Sequence, residues 1–234
     1  MKAIHFEVID STNTYLKNNY QSLDNFTFVS ADYQISGKGR HSRIWKSEDG
    51  KNLLFSLLLK DEKLVNRFKE LSILSAYSVL KVLESYGINN VSIKWPNDVY
   101  VNDKKICGIL LEGVSSTKLD CLIIGIGLNV NQMEFEKHRQ TATSVALELN
   151  KQVDINELKD KVYKELEKNI LSYENFYEKI IQYNYLKNKV VYASINNIQK
   201  KVKVIDINLD YSLKIEVDNE IIDIESDEIS FHIE

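Results

Sequence analysis

A chain of 234 residues with 44% hydrophobic and 27% charged residues has the composition of an ordinary folded protein, which excludes a disordered or fibrous chain. Its 30 Lys and Arg against 34 Asp and Glu give a formal charge of -4, so any anion binding must rest on a local cluster rather than a broad basic surface. The opening MKAIHFEVIDS lacks the apolar segment of a secretory signal, and no apolar run reaches the length of a membrane span, so a cytoplasmic protein that does not engage membranes is expected.

Alternation over Ile4 to Ile9 predicts a strand, followed by a short helix from Thr12 to Tyr20 capped by Asp10 or Ser11. Phe26 to Tyr33 reads as a second strand, Gln34 to Asn52 as a polar, glycine-bearing loop, and Leu53 to Leu59 as a buried strand. Between Asn66 and Tyr86 the apolar positions Phe68, Leu71, Leu74, Ala76, Val79, Val82 and Leu83 recur at helical spacing, with Gly87 as a stop signal. Val91 to Trp95, Val99 to Val101, Ile106 to Leu111 and Leu119 to Ile126 are short apolar runs separated by Asn-Asp and Ser-Ser turn chemistry, which predicts a mostly antiparallel sheet. The Lys- and Glu-rich stretch from Ile155 to Tyr185 predicts one or two amphipathic helices. Period two then takes over in Val190 to Ile195, Val202 to Asn208, Ser212 to Val217, Ile221 to Ile224 and Ile229 to Ile233, five strands of a small β-barrel. The predicted boundary near Lys187 divides the chain into residues 1–186 and 187–234.

All eight glycines lie between Gly37 and Gly127, together with the only proline and both tryptophans. That concentration points to backbone geometry or close ligand approach in the first half of the chain. The segment Gly37 to Trp45, GKGRHSRIW, holds Lys38, Arg40 and Arg43, with Lys46 just beyond and no acidic residue before Glu48. Two glycines and two guanidinium forks make such a loop a local anion trap, or else a solvated basic loop. Ile93 to Gly108, IKWPNDVYVNDKKICG, sets Lys94 and Lys105 around the turn Pro96-Asn97-Asp98, and Gly125 to Asn131 reads GIGLNVN. The G-x-G of the latter ends a strand and lacks the third glycine of a dinucleotide fold. Cys107 and Cys121 stand in apolar runs without C-x-x-C spacing, which predicts inert buried thiols rather than a zinc site or disulfide.

Taken in order, DSTN at Asp10 to Asn13, the Gln34 to Trp45 loop, KWPND at Lys94 to Asp98, GIGLNVN, Ala142-Thr143-Ser144 and the C-terminal strands resemble the biotin protein ligases. The resemblance covers essentially the whole chain. It implies an α+β fold, a mixed, mostly antiparallel sheet flanked by helices as in class II synthetases, with an SH3-like C-terminal barrel. It also implies an enzyme that activates biotin with ATP and Mg²⁺ to biotinyl-AMP and passes it to a lysine of a biotin carboxyl carrier protein.

Carried over by position, Ser11, Thr12, Asn13 and Gln34 form the pocket for the ureido ring. Gly37, Lys38, Gly39 and Arg40 form the covering loop, Lys105 meets the biotin carboxylate and α-phosphate, and Gly108 lets the ligand lie on the strand. Arg40, Arg43, Trp45, Asn97, Asp98 and Asn129 surround the nucleotide, with Asp98 a candidate Mg²⁺ ligand, and Lys105 and Arg40 carry the catalytic charge. His41 is expected to be merely polar. Lys38 stands where the family commonly has arginine, and Ser42, Asp227 and His232 also depart from its pattern, leaving open whether the C-terminal strands touch the nucleotide. A lipoate or octanoate ligase and a biotin-sensing regulator without activity are the alternatives. With nine residues ahead of Asp10, DNA binding is not expected, while a homodimer is left open.

Overall fold

The computed structural model describes residues 2–115, 118–136, 142–172 and 174–232. Seven strands form the main sheet: β1 (Ala3–Ile9), β2 (Phe28–Gln34), β3 (Asn52–Leu59), β4 (Val91–Lys94), β5 (Asp98–Val101), β6 (Lys104–Ser115) and β7 (Leu119–Asn129), in the order β1-β2-β3-β7-β6-β5-β4. Every neighbouring pair is antiparallel except β1 and β2, which run parallel because α1 (Thr12–Asn19) crosses between them. The mixed, mostly antiparallel sheet is therefore the one expected.

β3 is buried from end to end because both of its faces are covered. Leu53, Phe55, Leu57 and Leu59 point into the principal core, and Leu58 packs with Leu16 of α1 on the opposite face. The principal core is closed by α3 (Phe68–Ser85) and α5 (Ile155–Leu171), whose Leu71, Leu74, Val79, Leu158, Val162 and Leu166 are buried. Gly87 ends α3 at φ +86°, where its N–H reaches the Glu84 carbonyl and the Ile88 N–H reaches Leu83.

Several boundaries differ from expectation for local reasons. The helix predicted from Asn66 to Tyr86 is α3, two residues shorter at its start, a one-turn α2 (Glu62–Val65) capped by Asp61 precedes it, and Phe68 turns toward solvent. A short α4 (Val145–Leu149), capped by Ser144, is too brief to show periodicity. The Lys/Glu-rich stretch resolves into α5, capped by Asp154, and α6 (Tyr177–Ile181). β6 runs to Ser115, four residues past Leu111; Ser116 of the expected Ser-Ser turn lies outside the described residues.

The remaining strands, β8 (Val190–Ile195), β9 (Ile198–Ile207), β10 (Leu213–Val217), β11 (Glu220–Ile224) and β12 (Ile229–His232), form an antiparallel sheet in the order β11-β10-β9-β8-β12. The expected end of the last strand at Ile233 lies outside the described residues. The tight turns manage without glycine because Asn196-Asn197 and Asp218-Asn219 take positive φ, which short amide and carboxylate side chains tolerate. This sheet shares the principal core: Val204 and Ile215 belong to the same buried cluster as Trp95 and Leu186. Trp95 Nε1 donates to the Tyr211 carbonyl at 2.9 Å, and Tyr183 and Tyr185 bond backbone to backbone with Ile93. Among the described residues no helix is long and apolar enough to cross a membrane.

Candidate active site

The loops at one end of the main sheet surround a cavity of about 320 Å³. Every residue implicated by the sequence lines it except Gly37, which lines an adjoining cavity on the other side of the same loop.

The floor begins where β1 hands over to α1. Ser11 caps that helix, its hydroxyl accepting from Thr14 N–H at 3.4 Å, so the cap is Ser11 and not Asp10. The Thr12 N–H donates to Gln34 Oε1 at 2.8 Å, and the Thr12 hydroxyl lies 3.0 Å from that oxygen and 2.6 Å from Ser56 Oγ. Asn13 joins Ser56 and Glu112 in the same network. Gly125 makes room for it, since a Cβ there would lie 2.2 Å from Asn13 Oδ1.

The roof is the loop from Gly37 to Lys46, a small hairpin in which Gly39 N–H donates to the Arg43 carbonyl and Trp45 N–H to the Gly37 carbonyl. A Cβ on Gly37 would meet the Trp45 carbonyl oxygen at 2.4 Å, which is why glycine is needed there. The Trp45 indole lies on Gly108 and Gly127, which face each other across β6 and β7. A Cβ on either would come within 3 Å of the ring, at 2.9 and 2.6 Å. Gly108 lines the cavity, and the space left by its missing side chain is bordered by Trp45 and by Lys105, whose Nζ is 5.5 Å from the indole centroid.

Lys38, Arg40, Arg43, Lys46, Lys94 and Lys105 all line the cavity, and Asp98 is the only carboxylate among the described residues that do. Lys105 Nζ is 2.8 Å from Asp98 Oδ1, across the β5-β6 hairpin. Arg40 donates to Asn97 Oδ1 at 3.3 Å and to the Ser226 carbonyl, and Arg43 reaches Ser230 Oγ at 3.4 Å. Burial lowers the Arg40 guanidinium from its ordinary value, with Asp98 opposing. Burial also brings the Lys94 ammonium down to about 8, Asp98 opposing and Lys105 and Arg43 reinforcing. His41, at φ +53°, is held below its ordinary value by burial and by Arg40 and Arg43.

Two expected nucleotide contacts have duties inside the protein. Asn97 donates to the Ile109 carbonyl at 2.6 Å while accepting from Arg40, and buried Asn129 donates to the Thr143 carbonyl at 2.9 Å. One amide hydrogen of each holds the turn or the strand end, and Asn97 Oδ1 aims Arg40. Ser56, Glu112, Ser226 in the C-terminal turn and Ser230 on β12 also contact side chains of the site, and no sequence motif assigns them to it. Ser56 did leave a signal, being the only polar side chain from Leu53 to Leu59. Cys107 and Cys121 are buried and free, and burial raises both thiols, that of Cys121 to about 11, so both are inert as expected.

A polar floor and a cationic roof, closed over a glycine-lined sheet of this topology, make a cavity suited to a small anionic ligand. The chain belongs to the Biotin/lipoate A/B protein ligase family, whose pattern matches residues 5–129. A biotin protein ligase from Aquifex aeolicus, solved in complex with biotin and ATP, is 30% identical with a TM-score of 0.86, covering 99% of this chain and 98% of that one. The bifunctional ligase/repressor BirA of Bacillus spizizenii is 35% identical over 158 residues, 64% of this chain and 48% of its own length. The biotin--[acetyl-CoA-carboxylase] ligase of Paracoccus denitrificans is 32% identical over 127 residues, 52% of this chain and 51% of its own. The chain thus spans about half the length of the curated relatives it matches.

Proposed function

We propose that this chain is an ATP-dependent biotin protein ligase that forms biotinyl-AMP and transfers biotin to a lysine of a biotin carboxyl carrier protein. The observation that carries this is the convergence on one cavity of a half-buried donor-acceptor floor at Thr12 and Gln34 with a cluster of cations at Lys38, Arg40, Arg43, Lys94 and Lys105. The floor suits a urea ring, and the cations suit the two anions that adenylation brings together.

In the first step a carboxylate oxygen attacks the α-phosphorus, the bond to pyrophosphate breaks, and negative charge develops where Lys105 and Arg40 stand. Preorganised cations stabilise that charge without reorganising during the reaction. In the second step the acceptor amine attacks the acyl carbon and AMP leaves. Biotin is itself the nucleophile of the first step, so no nucleophilic side chain is called for. The hairpin roof excludes water from the acyl-adenylate until the acceptor arrives.

Among the described residues no cluster of His, Cys, Asp or Glu could hold a metal by itself. A single carboxylate, Asp98, in a cavity built for phosphate fits Mg²⁺ delivered by the nucleotide. The ion would neutralise phosphate charge, with Lys105 freed from Asp98 to meet the substrate carboxylate.

The same proposal takes residues 1–186 as the biotin- and nucleotide-binding unit and 187–234 as an SH3-like unit that closes the roof through Ser226 and Ser230. It places the reaction in the cytoplasm, gives DNA and membranes no part, and is compatible with a homodimer.

Pyrophosphate release and label transfer to a carrier domain, with biotin against lipoate and octanoate, test it. Biotin alone should support both steps. Lys105→Ala should keep the thermal midpoint yet slow single-turnover adenylation by about two orders of magnitude, the scale for losing one transition-state charge stabiliser. Turnover with lipoate or octanoate instead would identify the other branch of the family, and binding of biotin without pyrophosphate release would identify a sensor.

A further inference from the structure

Arg40 is gripped from two sides. It donates to Asn97 Oδ1 at 3.3 Å on the turn between β4 and β5 and to the Ser226 carbonyl on the turn between β11 and β12, so it bridges the two sheets over the cavity. Neither acceptor is free to follow the guanidinium. Asn97 is held by its own amide on the Ile109 carbonyl, and Ser226 offers a backbone oxygen that moves only with its turn. That turn is closed on itself: Glu228 N–H donates to the Glu225 carbonyl at 3.2 Å, and Glu225 N–H donates to Glu228 Oε2 at 2.8 Å. Where Arg40 stands is therefore decided by where the two turns stand.

Both turns rest on one face of α3. Lys69 and Ser72 lie three residues apart on its first turns and so share a face. Ser72 Oγ donates at 3.2 Å to the carbonyl of Pro96, the residue before Asn97. Lys69 Nζ pairs with the carboxylate of Glu225, the residue before Ser226, and has Asp210 at 3.9 Å. Lys69, Ser72, Arg40 and both turns line the cavity on the outer side of the roof. The helix beneath is a firm base: Leu71 and Leu74 are fully buried, and Arg67 ties its start to the end of α5 by donating to the Ile170 carbonyl at 2.9 Å.

We propose that Lys69 and Ser72 are positioning residues for Arg40, the first turns of α3 setting the two turns at the spacing that grips its guanidinium. Arginine is rich in rotamers, so a guanidinium placed in advance spares the ordering that would otherwise accompany binding of a phosphate. This rests on the biotin-activating function proposed above and adds to it the residues that hold its phosphate-facing cation.

The test follows pyrophosphate release and the escape of biotinyl-AMP, read as labelling of a bystander protein. Lys69→Ala and Ser72→Ala should each raise the KM for ATP and the rate of escape by about two- to fivefold, the range open to an exposed ion pair or a single neutral hydrogen bond. Glu225→Gln should match Lys69→Ala, and Lys69→Arg, which keeps the pair, should behave as the wild-type protein. In an Arg40→Ala background neither Lys69→Ala nor Ser72→Ala should add to the escape, because the group they position is gone. A merely structural role would add its effect in both backgrounds.

Escape unchanged in both single variants, Lys69→Arg no better than Lys69→Ala, or equal increments with and without Arg40 would overturn the positioning role while leaving the ligase function standing. A wild-type protein that releases no pyrophosphate with biotin would overturn both.

Discussion

Lys94 is a cation that the fold keeps at some cost. Its ammonium is half-buried beside two other cations, Lys105 and Arg43, with Asp98 as the one opposing charge, and its pKa falls from 10.5 to about 8. Because the folded value lies below the unfolded one, the unfolded chain binds more protons between these limits, and stability gains from this group as pH rises from about 8 toward 10.5. Below 8 the charge is retained in both states and its burial penalty is present in full. Lys94→Met should therefore be more heat-stable than the wild-type protein at pH 7, with the advantage narrowing between pH 8 and 10.5. Melting curves across that range check it; an advantage that stays constant or widens with pH would show that burial of the charge is not its origin.

The roof hairpin is an element whose position is decided by two glycines outside it. Gly37 lets the two arms close, but only Gly108 and Gly127 on β6 and β7 give the Trp45 indole a flat bed. Neither has positive φ, so alanine suits the backbone; at Gly127 only the indole must move, and at Gly108 the Lys105 side chain must give as well. Gly127→Ala puts a methyl where the ring now lies, at 2.6 Å, and should lift Trp45 from the sheet. The expected signs are a red-shifted tryptophan emission, with Trp95→Phe as background to remove the second fluorophore, and a loss of about 1–3 kcal/mol for overpacking. An unshifted emission would mean that the indole finds another resting place in the cavity. The KM for nucleotide should rise with the shift, because the cavity wall and the guanidinium of Arg43 travel on the same hairpin.

At the scale of the molecule, the two sheets share one buried cluster and are stitched by polar contacts. Trp95 Nε1 reaches the Tyr211 carbonyl, Tyr177 OH reaches the Ile207 carbonyl at 2.9 Å, and Lys69 pairs with Glu225 beside the turn that holds Arg40. Such continuity predicts a single cooperative unfolding transition, with near-ultraviolet and far-ultraviolet dichroism melting together. Trp95→Phe leaves the Tyr211 carbonyl without its donor and should lower stability by about 1–3 kcal/mol while keeping one transition. Two resolved transitions in the wild-type protein would show that the C-terminal sheet folds on its own and that the roof contacts of Arg40 and Arg43 are dispensable for it.

Local pattern alone determined much of this protein. The unbroken apolar run of β3 announces a strand buried on both faces, Gly87 marks the end of α3, and the period-two segments after Asn188 mark the second sheet, because burial writes its period into the residues that are buried. The cationic loop at Gly37 to Lys46 is also visible, since charge clustered in sequence is clustered in space whatever the fold. What periodicity cannot encode is which distant element lies opposite. The parallel pairing of β1 with β2, the indole of Trp45 on Gly108 and Gly127, and the reach of Arg40 to Ser226 across 186 residues arise only when the sheets are assembled. The same holds for Ser56 and Glu112. A serine in an apolar strand and a glutamate in the next-but-one strand carry no shared signal in sequence, and their hydrogen-bond direction exists only once Asn13 stands between them.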